Sequence, residues 1–568
     1  MNILAVICCD FDKTAIGTRS RLRDTLAGKP VLAHVLERLQ QVEGLTHILL
    51  AAPEPQLPLA QQFTLSACHP VTVSTTPLIA RADAVSARIR AARPWNLLSW
   101  RGGAGQFTVF DEEYHPAAIA HAARTFNADH ILAIHSHAAF LDVPLTEALL
   151  HHHLHKNHEM RITYTPAAPG LTGFMLRADI ALEMGDKNVM PWQLLAYDPA
   201  NPQFDSLIRD ACMQVDPALS KIPNRLLLDT DRAWAFAQSW HGRPAHDGRS
   251  HSAAHEPEKG SGVISTSPAA LALEAARSIA PGVADFSRTH TAPRELEIEL
   301  TPVRLTNPPG AVPAITRLAR GHLDPAHWTR WLASQNFPDD LLLTFAGDGD
   351  PLLYPHLLTI LRAARAAGLA SICLQTDLLA DNLDPLRTAI SENLLDILSI
   401  TTYGHTPATY NKVSNTSLHE KFSANLLQLA AATRANHGLP LVIPRLLKVR
   451  DTIPELESFF DTWISQAGWA VIDSPTTRAG SLPPTAVIDM APPKRRPCRR
   501  LWDRLLLRSN GTAVPCDQDP HDTLNLGNIE SHTLAHMWTG PALTALRQSH
   551  ADAQYPTPCT TCTEWHRA

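Results

Sequence analysis

Residues 341–353 read Leu-Leu-Leu-Thr-Phe-Ala-Gly-Asp-Gly-Asp-Pro-Leu-Leu, an apolar run followed by a glycine-rich turn. The first five residues predict a buried strand, because short apolar runs bounded by Gly and Pro are typical of parallel sheets. Residues 356–367 then have the apolar spacing of a helix. The stretch predicts one strand, turn and helix, and such a turn taken alone is most often only a connection.

Similar units surround this stretch. Further strands are predicted at 296–300, 371–375, 397–401 and 441–447. Further helices are predicted at 326–334, 422–437 and 453–466. Repeated units of this length favour a (β/α) barrel or part of one.

The first 240 residues alternate in the same way. Strands are predicted at 3–9, 47–52 and 130–134, and helices at 30–41 and 116–126. From 241 to 290 the composition turns to Gly, Ser, His and Pro, which predicts a linker with room for one helix at 268–279. The fold prediction is an α/β multidomain chain. It has a parallel-sheet domain at 1–240, a linker at 241–290, a partial barrel at 291–490 and a cysteine-rich tail at 491–568.

Composition limits the function. The 568 residues exceed what one core usually holds, and 49 basic against 55 acidic residues give a net charge of only −6. That balance supplies neither a basic surface for nucleic acid nor a polybasic membrane anchor. The N-terminus lacks a signal peptide, and no stretch approaches the ~18 apolar residues of a membrane span. We therefore expect a cytoplasmic protein whose cysteines are reduced.

Four of the nine cysteines gather in the tail, at Cys498, Cys516, Cys559 and Cys562. The two-residue spacer of the last pair lets both sulfurs face one metal ion or one corner of an iron–sulfur cube. Four thiolates complete one such site, and the same ligand set would also satisfy a structural zinc ribbon.

The segments between these cysteines carry further landmarks. Asn510-Gly511 predicts a turn that returns one short strand beside another, and Gly527-Asn528 predicts a second turn. With 496–502, 515–519 and Met537-Trp538, these landmarks resemble a SPASM domain. Such domains follow a radical S-adenosylmethionine barrel and hold an auxiliary cluster. The resemblance implies one [4Fe-4S] cluster on the four cysteines, with zinc as the alternative.

The barrel segment resembles the radical S-adenosylmethionine fold. Residues 343–353 resemble the Gly-Gly-Glu-Pro stretch that cradles the methionine end of the cofactor, and 374–377 resemble the Thr-Asn-Gly that ends the next strand. The resemblance implies vestigial cofactor positions at Gly347, Gly349, Asp350 and Thr376.

The cluster motif of that family is missing. The family carries Cys-x3-Cys-x2-Cys after the first strand, whereas this chain has no cysteine between Cys212 and Cys373. Val, Leu and Pro cannot replace thiolate, so we expect no cleavage of S-adenosylmethionine and no 5′-deoxyadenosyl radical. Cys373 lies in mid-strand and is predicted to be a small buried apolar residue.

Residues 3–7 and 28–39 resemble the sugar-nucleotide cytidylyltransferases. The resemblance implies a GT-A or nucleotidyltransferase-like domain, with Arg19, Arg21 and Lys29 as candidate phosphate contacts. The loop after the first strand begins with two acids and is short, and the central strand is followed by no carboxylate until Asp142. We therefore expect a nucleotide-binding scaffold with impaired catalysis.

Histidines stand where that carboxylate is absent. His135 and His137 could bind a soft or borderline metal, but two histidines at a sheet edge in a chain of 29 favour a structural role. The run at 151–155 is predicted to be a solvated helix face.

Together these parts resemble the spiro-SPASM proteins. The leading hypothesis is a non-radical binding or maturation factor with one cluster, whose barrel recognises a peptide or protein partner by analogy of fold. One alternative is an active nucleotidyltransferase that binds a nucleotide or nucleotide-sugar, with Asp142 or another carboxylate on the metal. The other is a structural zinc protein. Nucleic acid and membrane are not expected partners.

Overall fold

The computed structural model describes residues 1–63, 71–74, 83–96, 107–156, 161–196, 199–200, 205–220, 225–241, 292–436 and 438–566. Nearly all of the predicted linker, including its helix at 268–279, lies outside the described residues, and those predictions stay untested.

The first domain is built on a six-stranded sheet with a small hairpin beside it. In chain order its strands are β1 (Ile3–Cys8), β2 (Thr25–Leu26), β3 (Lys29–Pro30), β4 (His47–Ala51), β5 (Val71–Ser74), β6 (His130–His135), β7 (Ile162–Thr163) and β8 (Phe174–Arg177). The sheet has the order β5-β4-β1-β6-β8-β7, and β2 pairs with β3. Neighbours among β5, β4, β1 and β6 run parallel, whereas β8 and β7 are antiparallel. These pairings confirm the predicted, mainly parallel sheet. Every residue of β1 is buried, as expected for a strand inside the sheet.

Helices cover both faces of this sheet and form a separate apolar core on each. They span Val31–Leu39, Leu57–Gln61, Asp83–Ala92, Pro116–Thr125, Val143–His151, Ala178–Lys187, Pro191–Leu195, Pro217–Ser220 and Asp231–His241.

The predicted solvated face at 151–155 is wrong for His153. The helix widens into a π-helical segment over His152–Lys156, and His153 is buried against β7. Its Nδ1 lies 2.8 Å from Thr163 Oγ1, and its Nε2 lies 3.0 Å from Nδ1 of His130. Burial lowers the pKa of His153 to about 4. The π-helical segment changes which residues face the sheet, so an α-helical repeat of 3.6 residues does not predict that His153 is buried.

The second half of the chain forms a nine-stranded sheet. Its strands are β9 (Glu295–Ile298), β10 (Leu342–Phe345), β11 (Ser371–Thr376), β12 (Ile397–Thr402), β13 (Leu441–Leu447), β14 (Val471–Asp473), β15 (Arg504–Leu507), β16 (Thr512–Val514) and β17 (Gly527–Asn528). Strands β9 to β14 are parallel and adjacent in chain order, which confirms the predicted repeated β/α units. Its helices span Ala314–Leu318, Pro325–Ser334, Leu357–Ala366, Asp384–Ser391, Pro407–Ser414, His419–Ala435 and Leu456–Ala467.

The cysteine-rich tail continues the barrel sheet. Its first strand, β15, pairs in parallel with β9, and β16 folds back on β15 through the predicted turn at Asn510-Gly511. At the predicted turn, Gly527 and Asn528 pair with the edge of β16 as β17, and a turn begins at Asn528, whose carbonyl accepts from the Ser531 N–H at 3.1 Å. The tail helices span Arg500–Asp503, Leu534–Thr539 and Pro541–Ala551, and Trp538 belongs to the same apolar core as the barrel.

The two halves share one apolar core, to which Leu342, Ile397 and Leu441 of the second half contribute, and they are also joined by a polar contact. Arg232 donates to both carboxylate oxygens of Asp340, at 2.7 and 3.1 Å, and to the carbonyls of Ala292 and Pro293. Next to this pair, the backbone N–H of Asp231 donates to the carboxylate of Asp339 at 3.0 and 3.1 Å. Burial, with Asp231 and Asp340 nearby, raises the pKa of Asp339 to about 7, although Arg21 and the Asp231 N–H act in the opposite direction.

Replacing Asp339 with Asn is expected to stabilise the chain at pH 8 and to have little effect at pH 4. The folded pKa of about 7 exceeds the unfolded value, so the folded state binds the extra proton. The stability that this carboxyl contributes is therefore fully present below about pH 4 and is lost as the pH rises through 7. A gain of about 1–2 kcal/mol at pH 8 is expected in urea unfolding.

Asp340 provides the matched control. Arg232 holds the pKa of Asp340 below its usual range despite burial, so Asp340→Asn should destabilise the chain at pH 8. An Asp339→Asn effect that is independent of pH would contradict the assignment.

Candidate functional site

All four tail cysteines line one small cavity. Cys498 precedes the helix Arg500–Asp503, Cys516 follows β16, and Cys559 and Cys562 bracket a short 3₁₀ turn. The eight cysteines that the structure describes are reduced. The hairpin and the carboxyl-terminal turn thus bring the four predicted ligands together.

Burial raises the pKa of all four thiols, to about 12 for Cys559 and about 11 for Cys562, and neighbouring cysteines add to the rise for Cys516, Cys559 and Cys562. A thiol with a raised pKa becomes a thiolate at neutral pH when a metal ion or hydrogen-bond donors stabilise the negative charge.

Backbone donors lie beside three of the sulfurs. The N–H of Glu564 is directed at Cys562 Sγ, with the nitrogen 3.3 Å away. The N–H groups of Arg500 and Leu501 face Cys498, and that of Gln518 faces Cys516. Hydrogen bonds to sulfur favour the thiolate form and set the potential of metal-bound clusters. The donor arrangement fits sulfurs that carry a metal centre.

The spacing of the sulfurs is wide. Of the residues that the structure describes, no three of these cysteines have sulfurs within 4.8 Å of one another. Four sulfurs around one tetrahedral zinc, each at about 2.3 Å, would stand about 3.8 Å apart. In this metal-free arrangement the sulfurs are therefore not drawn together as tightly as the ligands of one bound zinc ion.

A closed network stands at the carboxyl end of β9. Arg304 donates to Asp377 through Nε at 2.8 Å and Nη2 at 2.5 Å, and to the Tyr403 hydroxyl at 2.9 Å. Thr306 and Tyr403 donate to the same carboxylate at 2.6 and 2.8 Å. Despite burial, Asp377 and Tyr403 hold the pKa of Arg304 well above its usual value. The loop after β9 is thus tied to the ends of β11 and β12.

The four positions predicted to be vestigial cofactor contacts lie at the ends of β10 and β11. Asp350 accepts from Thr376 Oγ1 at 3.0 Å, and burial with Asp377 nearby raises its pKa to about 6. A Cβ at Gly349 would lie 1.9 Å from the carbonyl oxygen of Thr301. Gly347 has a φ of +117°, and a Cβ there would meet Glu299. A side chain at either glycine would collide with Glu299 or Thr301, so the two glycines leave space for the loop that follows β9.

A buried ionic cluster joins the barrel to the tail. Glu299 and Asp348 of the barrel face Arg320, at 3.2 and 2.8 Å, and Arg508 of the tail, at 3.6 and 3.1 Å. Arg508 also pairs with Asp522 at 2.9 Å, and its side chain is 0% exposed.

A polar cavity of about 1300 Å³ lies between the barrel and the tail. Its lining includes both signs of charge, with Arg304, Arg445, Arg478, Arg500 and Arg504 against Glu297, Asp473, Asp517 and Glu564.

A second cleft, of about 2850 Å³, separates the first domain from the barrel. Arg19 and Arg21 line it together with Lys13 and Arg90, but both predicted phosphate contacts already have acidic partners. Arg19 pairs with Asp24 at 2.5 Å, and Arg21 pairs with Asp24 and Asp231.

Two further predicted residues lie apart from that cleft. Lys29 pairs with Glu37 at 2.8 Å on the β2–β3 hairpin and does not line it. Asp142 is buried and caps the helix Val143–His151 by accepting from the N–H of Leu145.

The end of β6 holds a group of titratable side chains that the sequence did not reveal. Glu112, Glu113 and Asp229 gather around His135 and His137. The Ile-His-Ser-His stretch was the only signal, since the carboxylates come from distant loops.

Comparison with known proteins identifies the tail. The family model of the SPASM iron-sulfur cluster-binding domain matches residues 498–563. An uncharacterized protein of Treponema pallidum (strain Nichols) is 25% identical over 245 residues, which are 41% of this chain and 66% of that protein. The chain thus covers just under two thirds of the length of this relative.

Three solved structures show weak likenesses. BtrN in complex with AdoMet and 2-DOIA is 18% identical with a TM-score of 0.32, over 48% of this chain and 91% of BtrN. Streptococcus suis SuiB bound to precursor peptide SuiA is 12% identical with a TM-score of 0.38, over 55% of this chain and 78% of SuiB. A cytidylyltransferase from Leptospira borgpetersenii is 12% identical with a TM-score of 0.25, over 42% of this chain and 84% of that enzyme. TM-scores this low carry no weight for ligand or activity.

The family match covers the segment whose four cysteines line the cavity, and both observations relate the tail to iron–sulfur proteins. Within the described ranges, no helix has the length and apolar character needed to cross a bilayer.

Proposed function

We propose that this chain is an iron–sulfur protein that holds one [4Fe-4S] cluster at Cys498, Cys516, Cys559 and Cys562. In this proposal its barrel binds a ligand or partner without radical chemistry, as a binding or maturation factor. The observation that carries the non-radical part is the Arg304 network at the carboxyl end of β9.

Three features support the cluster. The cysteines share one cavity, backbone N–H groups lie beside their sulfurs, and the sulfurs are spaced more widely than a single zinc requires. A [4Fe-4S] cube offers one iron to each of four thiolates. When bound, it would supply a one-electron redox couple, and Cys498, Cys516, Cys559 and Cys562 would hold it.

The barrel supports a binding role. A reductive cleavage needs thiolate-held iron beside the cofactor, whereas this loop presents the Arg304 guanidinium bonded to Asp377 and Tyr403. The adjoining cavity, which carries both signs of charge, suits a polar ligand such as a peptide segment. The proposed ligand class is a peptide or protein partner.

Anaerobic reconstitution of the full chain tests both parts. We expect about four irons and four sulfides per chain, and a broad charge-transfer absorbance that dithionite bleaches. With S-adenosylmethionine and dithionite present, we expect no 5′-deoxyadenosine in the product mixture.

Two outcomes would overturn the proposal separately. One zinc and no iron after anaerobic purification would refute the cluster. Formation of 5′-deoxyadenosine with multiple turnovers would refute the non-radical barrel while leaving the cluster intact.

A second candidate function is nucleotide or nucleotide-sugar binding in the large cleft, with or without cytidylyl transfer. It rests on the Lys13, Arg19, Arg21 and Arg90 side chains along that cleft, at the carboxyl end of a parallel sheet. Incubation with CTP and Mg²⁺ tests it. Sustained pyrophosphate release would establish transfer, and calorimetry that shows no CTP binding would dismiss the candidate.

A further inference from the structure

The group of side chains at the end of β6 has the geometry of a metal site. His135 is the last residue of β6, His137 follows two residues later, and Glu113 precedes the helix Pro116–Thr125. Glu113 Oε1 lies 3.3 Å from Nδ1 of His135 and 3.3 Å from Nδ1 of His137. Two ligands at about 2.0–2.1 Å from one tetrahedral ion stand about 3.3–3.4 Å apart. Both of these separations therefore match what one metal ion requires, and ligand atoms of the three residues all lie within 4.8 Å of one another.

The far nitrogens of both histidines face groups that would orient them. Nε2 of His135 makes no hydrogen bond and lies 3.6 Å from Glu112 Oε2. Nε2 of His137 lies 3.5 Å from Ser20 Oγ. Histidines that bind metals commonly donate their other ring N–H to a carboxylate or another acceptor. In both histidines Nδ1 faces Glu113 and Nε2 faces another polar group, as in histidines that bind a metal through one ring nitrogen.

Glu113 is held as a ligand would be. Ser136 donates to it from its backbone N–H at 2.5 Å and from Oγ at 2.8 Å. Although burial raises its pKa, the two histidines and Ser136 lower the pKa of Glu113 to about 2. In the metal-free chain the backbone N–H of His137 donates to His135 Nδ1 at 3.2 Å, and Ser136 Oγ lies 3.0 Å from His137 Nδ1. An ion would take the place of these two contacts.

The neighbouring charges favour Glu113 over Glu112 and Asp229 as the carboxylate ligand of a metal ion. The neighbouring carboxylates already have cationic partners, since Arg93 bonds Asp229 at 2.8 and 2.9 Å and Arg225 pairs with Glu112. Glu113 contacts only the two histidines among the ion pairs that the structure describes. A cation is thus favoured beside Glu113 and not beside Asp229.

We propose that Glu113, His135 and His137 form a site for one borderline divalent metal ion, such as Zn²⁺, with a coordination position open to solvent or ligand. Two imidazole nitrogens and one carboxylate oxygen suit Zn²⁺, Fe²⁺ or Mn²⁺ better than Mg²⁺ or Ca²⁺. Glu113 lines both the interdomain cleft and an inner pocket, so the open position can take an anionic, oxygen-donor ligand from the cleft. The site is independent of the four-cysteine centre.

Titration of the chelator-treated, untagged full chain with Co²⁺ tests the site. Besides any cobalt bound by cysteine, the chain should take up one equivalent whose visible absorption lacks thiolate charge transfer. The signal should persist in a Cys559→Ser, Cys562→Ser chain. His137→Gln should weaken this binding by at least about 10- to 100-fold, and Ser136→Ala, which loses only an orienting bond, by about tenfold or more.

The control is a chain with His151→Gln and His155→Gln, an exposed histidine pair with ring centres 4.5 Å apart. It should bind Co²⁺ as the wild type does. Circular dichroism shows whether each variant is folded, and if His137→Gln is not, Ser136→Ala decides. Absence of the thiolate-free signal in the wild type, or equal Co²⁺ affinity in the folded His137→Gln or Ser136→Ala chain, would overturn the site.

Discussion

Replacing Arg508 with Met is expected to lower the free energy of unfolding of the chain by about 3–5 kcal/mol. The Arg508 side chain is 0% exposed and faces Glu299 and Asp348, which are also buried. Met keeps much of the volume but removes one of the cations that both carboxylates face, so Glu299 keeps only Arg320, and Asp348 keeps Arg320 and Arg478, in a poorly solvated place. Urea unfolding at neutral pH, followed by circular dichroism, measures the loss.

The charge explanation can be separated from a packing explanation. Adding Asp348→Asn to Arg508→Met removes one of these two carboxylates and should recover part of the lost stability. Arg362→Met provides the surface control, because Arg362 pairs with Glu392 in solvent and should leave the unfolding midpoint nearly unchanged. If the double variant were as unstable as the sum of its parts, lost packing would be the cause instead.

This ionic cluster shows which features a sequence conceals. The strands at 342–345 and 441–447 were predicted to within one residue, because their apolar runs are local signals. The tail hairpin followed from Asn510-Gly511, another local signal. Arg508 and Glu299 are close together because β15 pairs with β9. The sequence around either residue contains no local pattern that predicts this pairing.

The candidate sites follow the same rule. The four cysteines could be grouped from the sequence because a Cys-x2-Cys pair and two further cysteines in one short segment make a complete set of metal ligands. The Arg304 pairing with Asp377 joins two loops that are distant in the chain, so local sequence patterns could not predict it. Glu113 reaches the histidines from a third loop, so the sequence analysis found a pair of histidines where the structure also places a carboxylate.

Replacing Cys562 with Ser is expected to abolish the charge-transfer absorbance of the reconstituted chain and to unfold its last residues. Ser is a far weaker ligand for iron than thiolate, so a cluster with three sulfurs is bound much less tightly. The carboxyl-terminal stretch around Cys559 has few regular elements, only the short turns Cys559–Thr561 and Glu564–His566. Apart from a metal centre, it is held mainly by Arg495, which donates to the Cys559 and Thr560 carbonyls, and by buried Trp565.

The loss should be local, and its location is the decisive measurement. Trp538 and β15 belong to the core that the tail shares with the barrel, so amide protons of β15 and β16 should stay protected in Cys562→Ser. Amides of 552–566 should exchange faster, with a loss of stability well below the order of 10 kcal/mol that a self-contained metal domain would show. Cys212→Ala removes a thiol far from the tail and should leave absorbance and tail exchange unchanged. A Cys562→Ser chain that kept its iron and its tail protection would show that Cys562 is not a ligand, because a bound cluster is the only group in the proposal that ties this turn to β16.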